Sequence, residues 1–299
     1  MIYPRPLQPG DAIAILSPAS AIKNELIDSA CATLRSWGFR PVVCAHSKGK
    51  WGSYSGTVEE RLADIHDALA DPSVRAILCA RGGYGVVHLL EHFEPGLWSR
   101  DPKWVMGFSD ISAFHAAVAM DGVASIHSPM CKHLTEHPDD EASCSLRAIL
   151  TGTMPDYTVD ADPHNRKGEA EGQIYGGNIA VLSGLLSTKY NLLRKDHILF
   201  IEDIDEEIYS IERMLYHLRL SGVLESTRAL IVGQFTDYKH PSKDFDNMYD
   251  MVERMVADYS FPVAYNFPVG HVDYNLPIVE GANARLTVGD DHVRLTLSR

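Results

Sequence analysis

Residues 103–119 read KWVMGFSDISAFHAAVA, and their pattern indicates the fold class of the first half of the chain. An apolar segment over residues 103–107 ends at a glycine, the polar pair Ser109-Asp110 follows, and a helical apolar pattern runs over residues 111–119. A strand, an abrupt turn and a helix in this order are typical of one repeat of a parallel α/β sheet.

The same alternation continues on both sides of this stretch. Thr57 followed three residues later by Glu60 predicts a capping box at the start of a helix. An apolar helix is predicted to follow the glycines of residues 82–85 and to run through Leu90. Further strands are predicted at residues 11–17, 41–44 and 74–79, and a further helix at residues 22–37. The first half is therefore predicted to be a mostly parallel sheet flanked by helices.

The second half is predicted to form a separate α/β domain that ends in a β-hairpin. Polar, turn-rich residues interrupt the alternation at 152–172, so we predict an N-terminal domain at 1–152, a linker at 153–172 and a C-terminal domain at 173–299. The predicted elements are helices at 177–187, 207–220 and 244–257, strands at 198–201 and 229–232, and a hairpin that pairs 284–288 with 293–297.

Composition and charge exclude several classes of function. The chain has 299 residues, of which 45% are hydrophobic and 22% charged, and its formal net charge is −13 without a basic cluster. This pattern predicts neither a nucleic-acid nor a membrane partner. The polar, proline-rich first six residues do not resemble a signal peptide, so we expect a cytoplasmic location. Five cysteines without C-x-x-C spacing, and no H-E-x-x-H motif, predict neither metal nor cofactor.

Two loops of the first half follow predicted strands, where ligands of α/β sheets bind. Gly82 and Gly83 lie in a loop that is either a tight structural turn or a cradle for an anion. Ser109 follows a strand directly, as in a nucleophile elbow, and the N–H of Asp110 would then point into an oxyanion hole. Ile111 stands where the elbow motif has its last glycine, and Ser109 or Asp110 could equally cap the following helix.

Candidate acid–base residues lie in the second half. Glu202 and Asp203 follow an apolar strand, and His271 follows Gly270 after another apolar stretch. A serine nucleophile needs a base and a carboxylate that orients this base. The alternatives are a helix cap near Glu207 for the carboxylates and an ordinary surface position for the histidine.

Taken in order, these motifs resemble the LD-carboxypeptidase family of serine peptidases, which includes the microcin immunity peptidases. The resemblance spans nearly the whole chain. Its motifs are Gly10-Asp11, residues 17–20, 56–61, 71–77 and 81–85, Gly107-Phe108-Ser109-Asp110-Ile111, residues 127–130, 176–178 and 198–203, residues 211–215, and Gly270-His271.

The resemblance implies a catalytic triad divided between two domains. Ser109 would be the nucleophile, Glu202 the orienting carboxylate and His271 the base. Backbone N–H groups of Asp110 and Gly83 would form the oxyanion hole. Side chains alternate along a strand, so only one of the two adjacent carboxylates can face the histidine, and the family pattern favours Glu202 over Asp203.

The resemblance also implies a substrate class. The family role is to release a terminal D-amino acid from a small murein tetrapeptide by cleaving an L,D-amide during cell-wall recycling, in a homodimer. Arg213 and Tyr84 are candidate substrate-binding residues, although an arginine on a helix usually faces solvent. His127-Ser128-Pro129 and residues 272–275 depart from the family pattern and bear on substrate choice.

Two alternative functions stay open at this point. One is a microcin-immunity-like peptidase that cleaves peptidyl- or aminoacyl-nucleotides, which Trp51 would support if it stacks on a base. The other is a catalytically silent peptide- or sugar-binding module, against which the retained serine, glutamate and histidine argue.

Overall fold

The computed structural model describes residues 1–193, 196–239 and 244–299. The chain divides into an N-terminal unit, residues 1–153 with 276–280, and a C-terminal unit, residues 154–275 with 281–299. The strands are β1 (Ala12–Leu16), β2 (Arg40–Val43), β3 (Val74–Cys79), β4 (Trp104–Gly107), β5 (Ser125–His127), β6 (Asp156–Asp160), β7 (Gly168–Asn178), β8 (His197–Ile204), β9 (Thr227–Thr236), β10 (Val263–Ala264), β11 (Ile278–Glu280), β12 (Asn283–Val288) and β13 (His292–Ser298). The helices are α1 (Asn24–Ser36), α2 (Val58–Ala70), α3 (Ser112–Met120), α4 (Cys131–Glu136), α5 (Glu141–Leu150), α6 (Ile179–Leu185), α7 (Ile208–Leu220) and α8 (Met248–Met255).

The N-terminal unit is built on a sheet with the strand order β11-β5-β4-β3-β1-β2. Strands β1 to β5 are parallel, and β11 pairs with β5 in the antiparallel direction. Since β3 and β4 are neighbours, the loop after Cys79 and the turn after Gly107 leave the same edge of this sheet. The sheet therefore brings the glycine loop and the Ser109 turn to one place.

Burial explains why the strands of this unit are continuous apolar runs. All residues of β1 and of β4 are buried, as expected for parallel strands that are covered on both faces. Helix α2 begins with the predicted capping box. The Glu60 N–H donates to Thr57 Oγ1 at 3.3 Å, and the Thr57 N–H donates to the Glu60 carboxylate at 2.8 Å.

The C-terminal unit is built on a mixed sheet with the strand order β10-β9-β8-β7-β12-β13-β6. Strands β7 to β10 are parallel, whereas β12, β13 and β6 continue the sheet in antiparallel pairs. The predicted terminal hairpin is present as β12 and β13, and the predicted α/β fold class is confirmed. Among the described residues, no helix combines the length and apolar character that crossing a bilayer requires.

Two predicted segments have a different structure. Residues 153–172, predicted as a linker, contain β6 and the beginning of β7. In β6 exposed and more buried residues alternate, because only one face of this edge strand packs against the protein. The exposed residues are polar, so the segment resembles a loop in composition. The helix predicted to follow the glycine loop and to run through Leu90 is replaced by two 3-10 turns, Val86–His88 and Leu90–His92, and the Leu89 N–H donates to the Val86 carbonyl at 2.9 Å.

Candidate active site

Ser109 occupies a strained turn between β4 and α3. Its φ is +68°, in the left-handed region that residues other than glycine rarely adopt, and it opens a 3-10 turn over residues 109–111. Such a conformation costs on the order of 1–3 kcal/mol and persists where the surrounding structure enforces it. Strain at a serine between strand and helix is the property of a nucleophile elbow.

The glycine loop lies directly against this turn. A Cβ atom on Gly82 would lie 2.9 Å from Cβ of Ser109 and 3.2 Å from the backbone N of Asp110. Gly83 has a φ of +98°, and a Cβ atom there would lie 2.3 Å from Oγ of Ser20. Only glycines fit at these positions, because each backbone is in van der Waals contact with its neighbour.

The Asp110 side chain holds the glycine loop instead of capping a helix. Its Oδ2 accepts a hydrogen bond from the Val86 N–H at 2.9 Å. Phe108 and Ile111 occupy the N-cap positions of the 3-10 turn and of α3, and neither supplies a side-chain cap. Burial raises the pKa of Asp110, and the Val86 hydrogen bond partly counteracts this rise.

Two further side chains hold the glycine loop in place, and neither is among the functional residues predicted from the sequence. The buried Arg61 guanidinium donates to the carbonyls of Gly85 at 2.9 Å and of Pro18 at 2.8 Å. Ser20 Oγ accepts the Tyr84 N–H at 3.2 Å. The position of Arg61 in the sequence could have indicated this role, because the helical repeat places Arg61 on the buried face of α2.

The C-terminal unit pairs His271 with Glu202. Glu202 lies on β8 and is fully buried, and its Oε2 is 2.7 Å from Nδ1 of His271. Burial lowers the pKa of His271, but the hydrogen bond and the charge of Glu202, with the charge of Asp203, outweigh burial, so the pKa is raised overall. The carboxylate thus holds the imidazole in one orientation and favours its protonated form.

A glycine and a buried amide place the histidine. Gly270 has a φ of +128°, and a Cβ atom there would lie 2.9 Å from Cβ of Glu202. Its N–H donates to Oδ1 of the buried Asn275 at 3.0 Å. The close approach of Gly270 lets the neighbouring His271 reach a carboxylate on β8.

Asp203, the alternative orienting carboxylate, has other partners. It accepts hydrogen bonds from Asn178 Nδ2 at 2.9 Å, from the Ala180 N–H at 3.0 Å and from the Ile204 N–H at 2.8 Å. Burial and the neighbouring charge of Glu202 raise its pKa to about 6. Its hydrogen bonds to Asn178 and Ala180 secure the start of α6.

The candidate substrate-binding residues are exposed. Arg213 lies on the exposed face of α7, with its guanidinium carbon 5.3 Å from the centre of the Tyr209 ring. Tyr84 and Trp51 are also exposed, and the rings of both lie within 6.4 Å of the Tyr54 ring. Ser109 belongs to the N-terminal unit, whereas Glu202 and His271 belong to the C-terminal unit.

Comparison with known proteins identifies the class of the chain, which is a carboxypeptidase composed of two α/β units. The model of the LD-carboxypeptidase N-terminal domain matches residues 13–128, and that of the C-terminal domain matches residues 171–286. The chain therefore belongs to the LD-carboxypeptidase family, which confirms the predicted resemblance.

Individual relatives agree with this assignment. The murein tetrapeptide carboxypeptidase of Pseudomonas aeruginosa is 32% identical over 280 residues, which cover 88% of this chain and 89% of that protein. The muramoyltetrapeptide carboxypeptidase from Oxalobacter formigenes is 26% identical with a TM-score of 0.87, and the match covers 96% of this chain and 99% of that structure. MccF in complex with glutamyl sulfamoyl guanosine has the same TM-score at 22% identity, covering 97% of each chain, and this likeness concerns the fold alone.

Proposed function

We propose that this protein is a serine-type LD-carboxypeptidase that releases a terminal D-amino acid from murein peptides by hydrolysing an L,D-amide bond. The observation that carries the proposal is the 2.7 Å contact between His271 and the buried Glu202, because a serine nucleophile needs this pair of base and orienting acid. The murein substrate is supported by the 32% identity to the Pseudomonas aeruginosa carboxypeptidase.

In the proposed reaction, Ser109 Oγ attacks the carbonyl carbon of the scissile amide and transfers its proton to His271. The carbon–nitrogen bond then breaks while His271 returns that proton to the departing amine. Water attacks the resulting ester, His271 takes a proton from the water, and this proton finally restores the Ser109 hydroxyl. The products are the shortened peptide with a new carboxylate and the free D-amino acid.

Charge develops at two places in this reaction, and the proposal assigns residues to both. Glu202 stabilises the imidazolium form of His271 after each proton transfer. The N–H groups of Asp110 and Gly83 stabilise the oxyanion of the tetrahedral intermediates. The contact of Gly82 with Ser109 and Asp110 supports this second role, since it holds the two loops side by side.

The test is mass spectrometry of a murein tetrapeptide incubated with the purified protein. We expect loss of one D-alanine with the wild type, and no loss with Ser109→Ala or His271→Ala. Ser260→Ala and His66→Ala replace exposed residues of the same types and serve as matched controls. An intact tetrapeptide combined with cleavage of an aminoacyl-nucleotide would establish the microcin-immunity-like alternative, and cleavage of neither would favour the silent binding module.

For the carboxylate of the leaving residue we propose Arg213 as the cationic partner. A charge-assisted hydrogen bond from an exposed guanidinium contributes a modest share of binding energy, so Arg213→Ala is expected to raise KM about tenfold with little change in kcat. Arg100→Ala, at another exposed arginine, is the control. An unchanged KM would remove Arg213 from the proposal and leave the triad unaffected.

We also propose that the protein acts in the cytoplasm as a homodimer, in line with its role in cell-wall recycling. Light scattering of the purified protein tests the dimer, and a monomer at the concentrations used for assays would contradict it. Cell fractionation with antibody detection tests the location, and recovery in an extracytoplasmic fraction would contradict it.

A further inference from the structure

The C-terminal unit contains a second group of titratable side chains, separate from His271 and Glu202. His164 lies in the segment between β6 and β7, whereas Asp250 and Glu253 lie on α8. One ligand atom from each of these three residues lies within 4.8 Å of the others. Residues 86 positions apart in the chain thus present one imidazole and two carboxylates to a common point.

His164 is oriented as a metal-binding histidine usually is. Its Nδ1 lies 2.8 Å from Oδ1 of Asp162, and its Nε2 lies 3.3 Å from Oδ1 of Asp250. Metal-binding histidines almost always donate their other ring N–H to a carboxylate or a carbonyl, which fixes the tautomer. Asp162 supplies this acceptor and leaves Nε2 directed towards the two carboxylates of α8.

The carboxylates are also held in place. Asp250 and Glu253 are three residues apart on α8, so both lie on the same face of this helix. Asn247, the N-cap of α8, donates from Nδ2 to Oδ2 of Asp250 at 3.1 Å. One oxygen of Asp250 is therefore fixed by the cap, and the other is directed to His164.

An independent observation concerns Tyr265. This residue is only 2% exposed, and its hydroxyl has no hydrogen-bond partner among residues 1–193, 196–239 and 244–299. Its ring lies 5.7 Å from the ring of His164. A buried hydroxyl without a partner is unfavourable, and a water bound to an ion in the cluster would satisfy it.

We propose that His164, Asp250 and Glu253 form a Zn²⁺ site, with Asp162 as the partner that orients His164. The separation of 3.3 Å between His164 Nε2 and Asp250 Oδ1 equals the edge of a tetrahedron with metal–ligand bonds of about 2.0 Å, the usual zinc geometry. Glu253 is exposed and can close onto the ion by side-chain rotation, and water takes the fourth position.

Two of the three proposed ligand residues border a groove along α8. Asp250 and Glu253 line this groove together with Asp244 and Asp246, so the approach is acidic. Arg254 also borders the groove. Its guanidinium carbon lies 4.7 Å from the centre of the Phe245 ring. An acidic approach to a partly buried imidazole favours a divalent cation.

The site would join the segment between β6 and β7 to α8. This inference does not depend on the proposed peptidase activity, because none of its residues belongs to the proposed triad. It also revises the expectation from sequence that the chain binds no metal, which rested on the lack of short metal-binding motifs.

The test is competition calorimetry of tag-free, metal-stripped protein with Zn²⁺. We expect one Zn²⁺ per chain and a higher midpoint of thermal unfolding in its presence, since binding to the folded state stabilises it. His164→Gln and Asp250→Asn should each weaken binding at least tenfold, and Asp162→Ala should weaken it 10–100-fold as a loss of the orienting partner. His292→Gln, at an exposed histidine 3.6 Å from Asp160, should leave the affinity unchanged.

Four results would overturn the proposal. Absence of Zn²⁺ binding to the wild type would show that His164 and Asp250 share a proton only, and an unchanged affinity in His164→Gln would place the ion elsewhere. Cys144 is an exposed free thiol, so binding lost in Cys144→Ser would assign the zinc to that cysteine. The visible spectrum of the Co²⁺-substituted wild type provides a check that requires no variant, because nitrogen and oxygen ligands are expected and thiolate bands would contradict the site.

Discussion

The Ser109 turn and the His271–Glu202 pair place their reactive groups by different means. Ser109 is held by its backbone, with a φ of +68° and glycines packed against it. His271 is held by a side chain, through a carboxylate at 2.7 Å that is itself fully buried. The position of Ser109 therefore depends on steric room around the main chain, whereas the position of His271 depends on the charge of Glu202.

This difference separates substitutions that look similar in sequence. Adding a single methyl group should be severe beside Ser109, where a new Cβ would overlap Ser109 itself. Changing a charge without changing shape should be severe at Glu202, where the imidazole depends on a carboxylate. Four measurements follow from this contrast.

The largest effect is expected for Glu202→Gln. The amide keeps the shape of the carboxylate, but it cannot hold the productive tautomer of His271, and the comparable change in other triads lowers kcat about 10⁴-fold. Steady-state hydrolysis of a murein tetrapeptide measures this loss. Glu25→Gln, at an exposed glutamate of α1, should keep full activity. A decrease in kcat of less than about tenfold in Glu202→Gln would show that the charge of Glu202 does not control His271.

Gly82→Ala is expected to lower kcat by about 10²–10³, the effect of displacing an oxyanion-hole donor in other enzymes. The matched control is Gly184→Ala in α6, where a new Cβ meets nothing within 4 Å and alanine favours the helix by up to about 1 kcal/mol. Equal kcat values for the two alanine variants would contradict the steric account of the Ser109 turn.

Asp203 provides a test based on stability. Burial and the charge of Glu202 raise its pKa to about 6 in the folded protein, above the value of about 4 in an unfolded chain. The folded state thus binds the Asp203 proton more tightly than the unfolded chain does. The contribution of Asp203 to the free energy of unfolding is therefore largest below pH 4 and is lost as the pH rises to about 6. The expected contribution is about 3 kcal/mol, on the order of 1.4 kcal/mol per pKa unit.

Urea unfolding at pH 4 and pH 7 measures this contribution. The difference between the wild type and Asp203→Asn reports the titration of Asp203 together with its electrostatic coupling to Glu202 and His271. Asp67→Asn, at an exposed position of α2, should show the wild-type dependence. Identical pH dependence in the wild type and Asp203→Asn would contradict the raised pKa.

The smallest expected effect is the shift of a pH profile. Since Glu202 outweighs burial and raises the pKa of His271, the base becomes protonated at a pH above its ordinary value of about 6.5. We expect kcat/KM to fall about tenfold per pH unit below this midpoint, and the residual activity of Glu202→Gln to have a lower midpoint. A wild-type midpoint below 6.5 would contradict the assignment of His271 as the base.

The sequence was informative where one local rule dominates. The capping box of Thr57 and Glu60, the terminal hairpin and the α/β alternation are short-range patterns, and the structure contains all of them. Residues 153–172 were not predictable in the same way. Their short half-buried strand β6 acquires its partner from β13, more than 130 residues later.

The candidate site shows the same limit. Strand alternation indicated that only one of Glu202 and Asp203 could face His271, and the choice of Glu202 came from the family resemblance. In the structure Glu202 Oε2 lies 2.7 Å from His271 Nδ1, and Asp203 accepts from Asn178. Arg61 and His164 were not selected, because their partners are distant in the chain and no motif joins them. Long-range contacts of single side chains have no periodic signal in a sequence.

Strand β11 has a consequence for dividing this protein experimentally. Residues 276–280 belong to the N-terminal unit although they follow His271, so the chain passes between the units three times. A fragment that ends at residue 153 would lack β11 and leave β5 at the edge of its sheet with unpaired backbone groups. Such an edge is a template for aggregation. Deletion mapping would then report insolubility and not loss of function, and a circularly permuted or co-expressed design that keeps β11 is the sounder way to separate the two units.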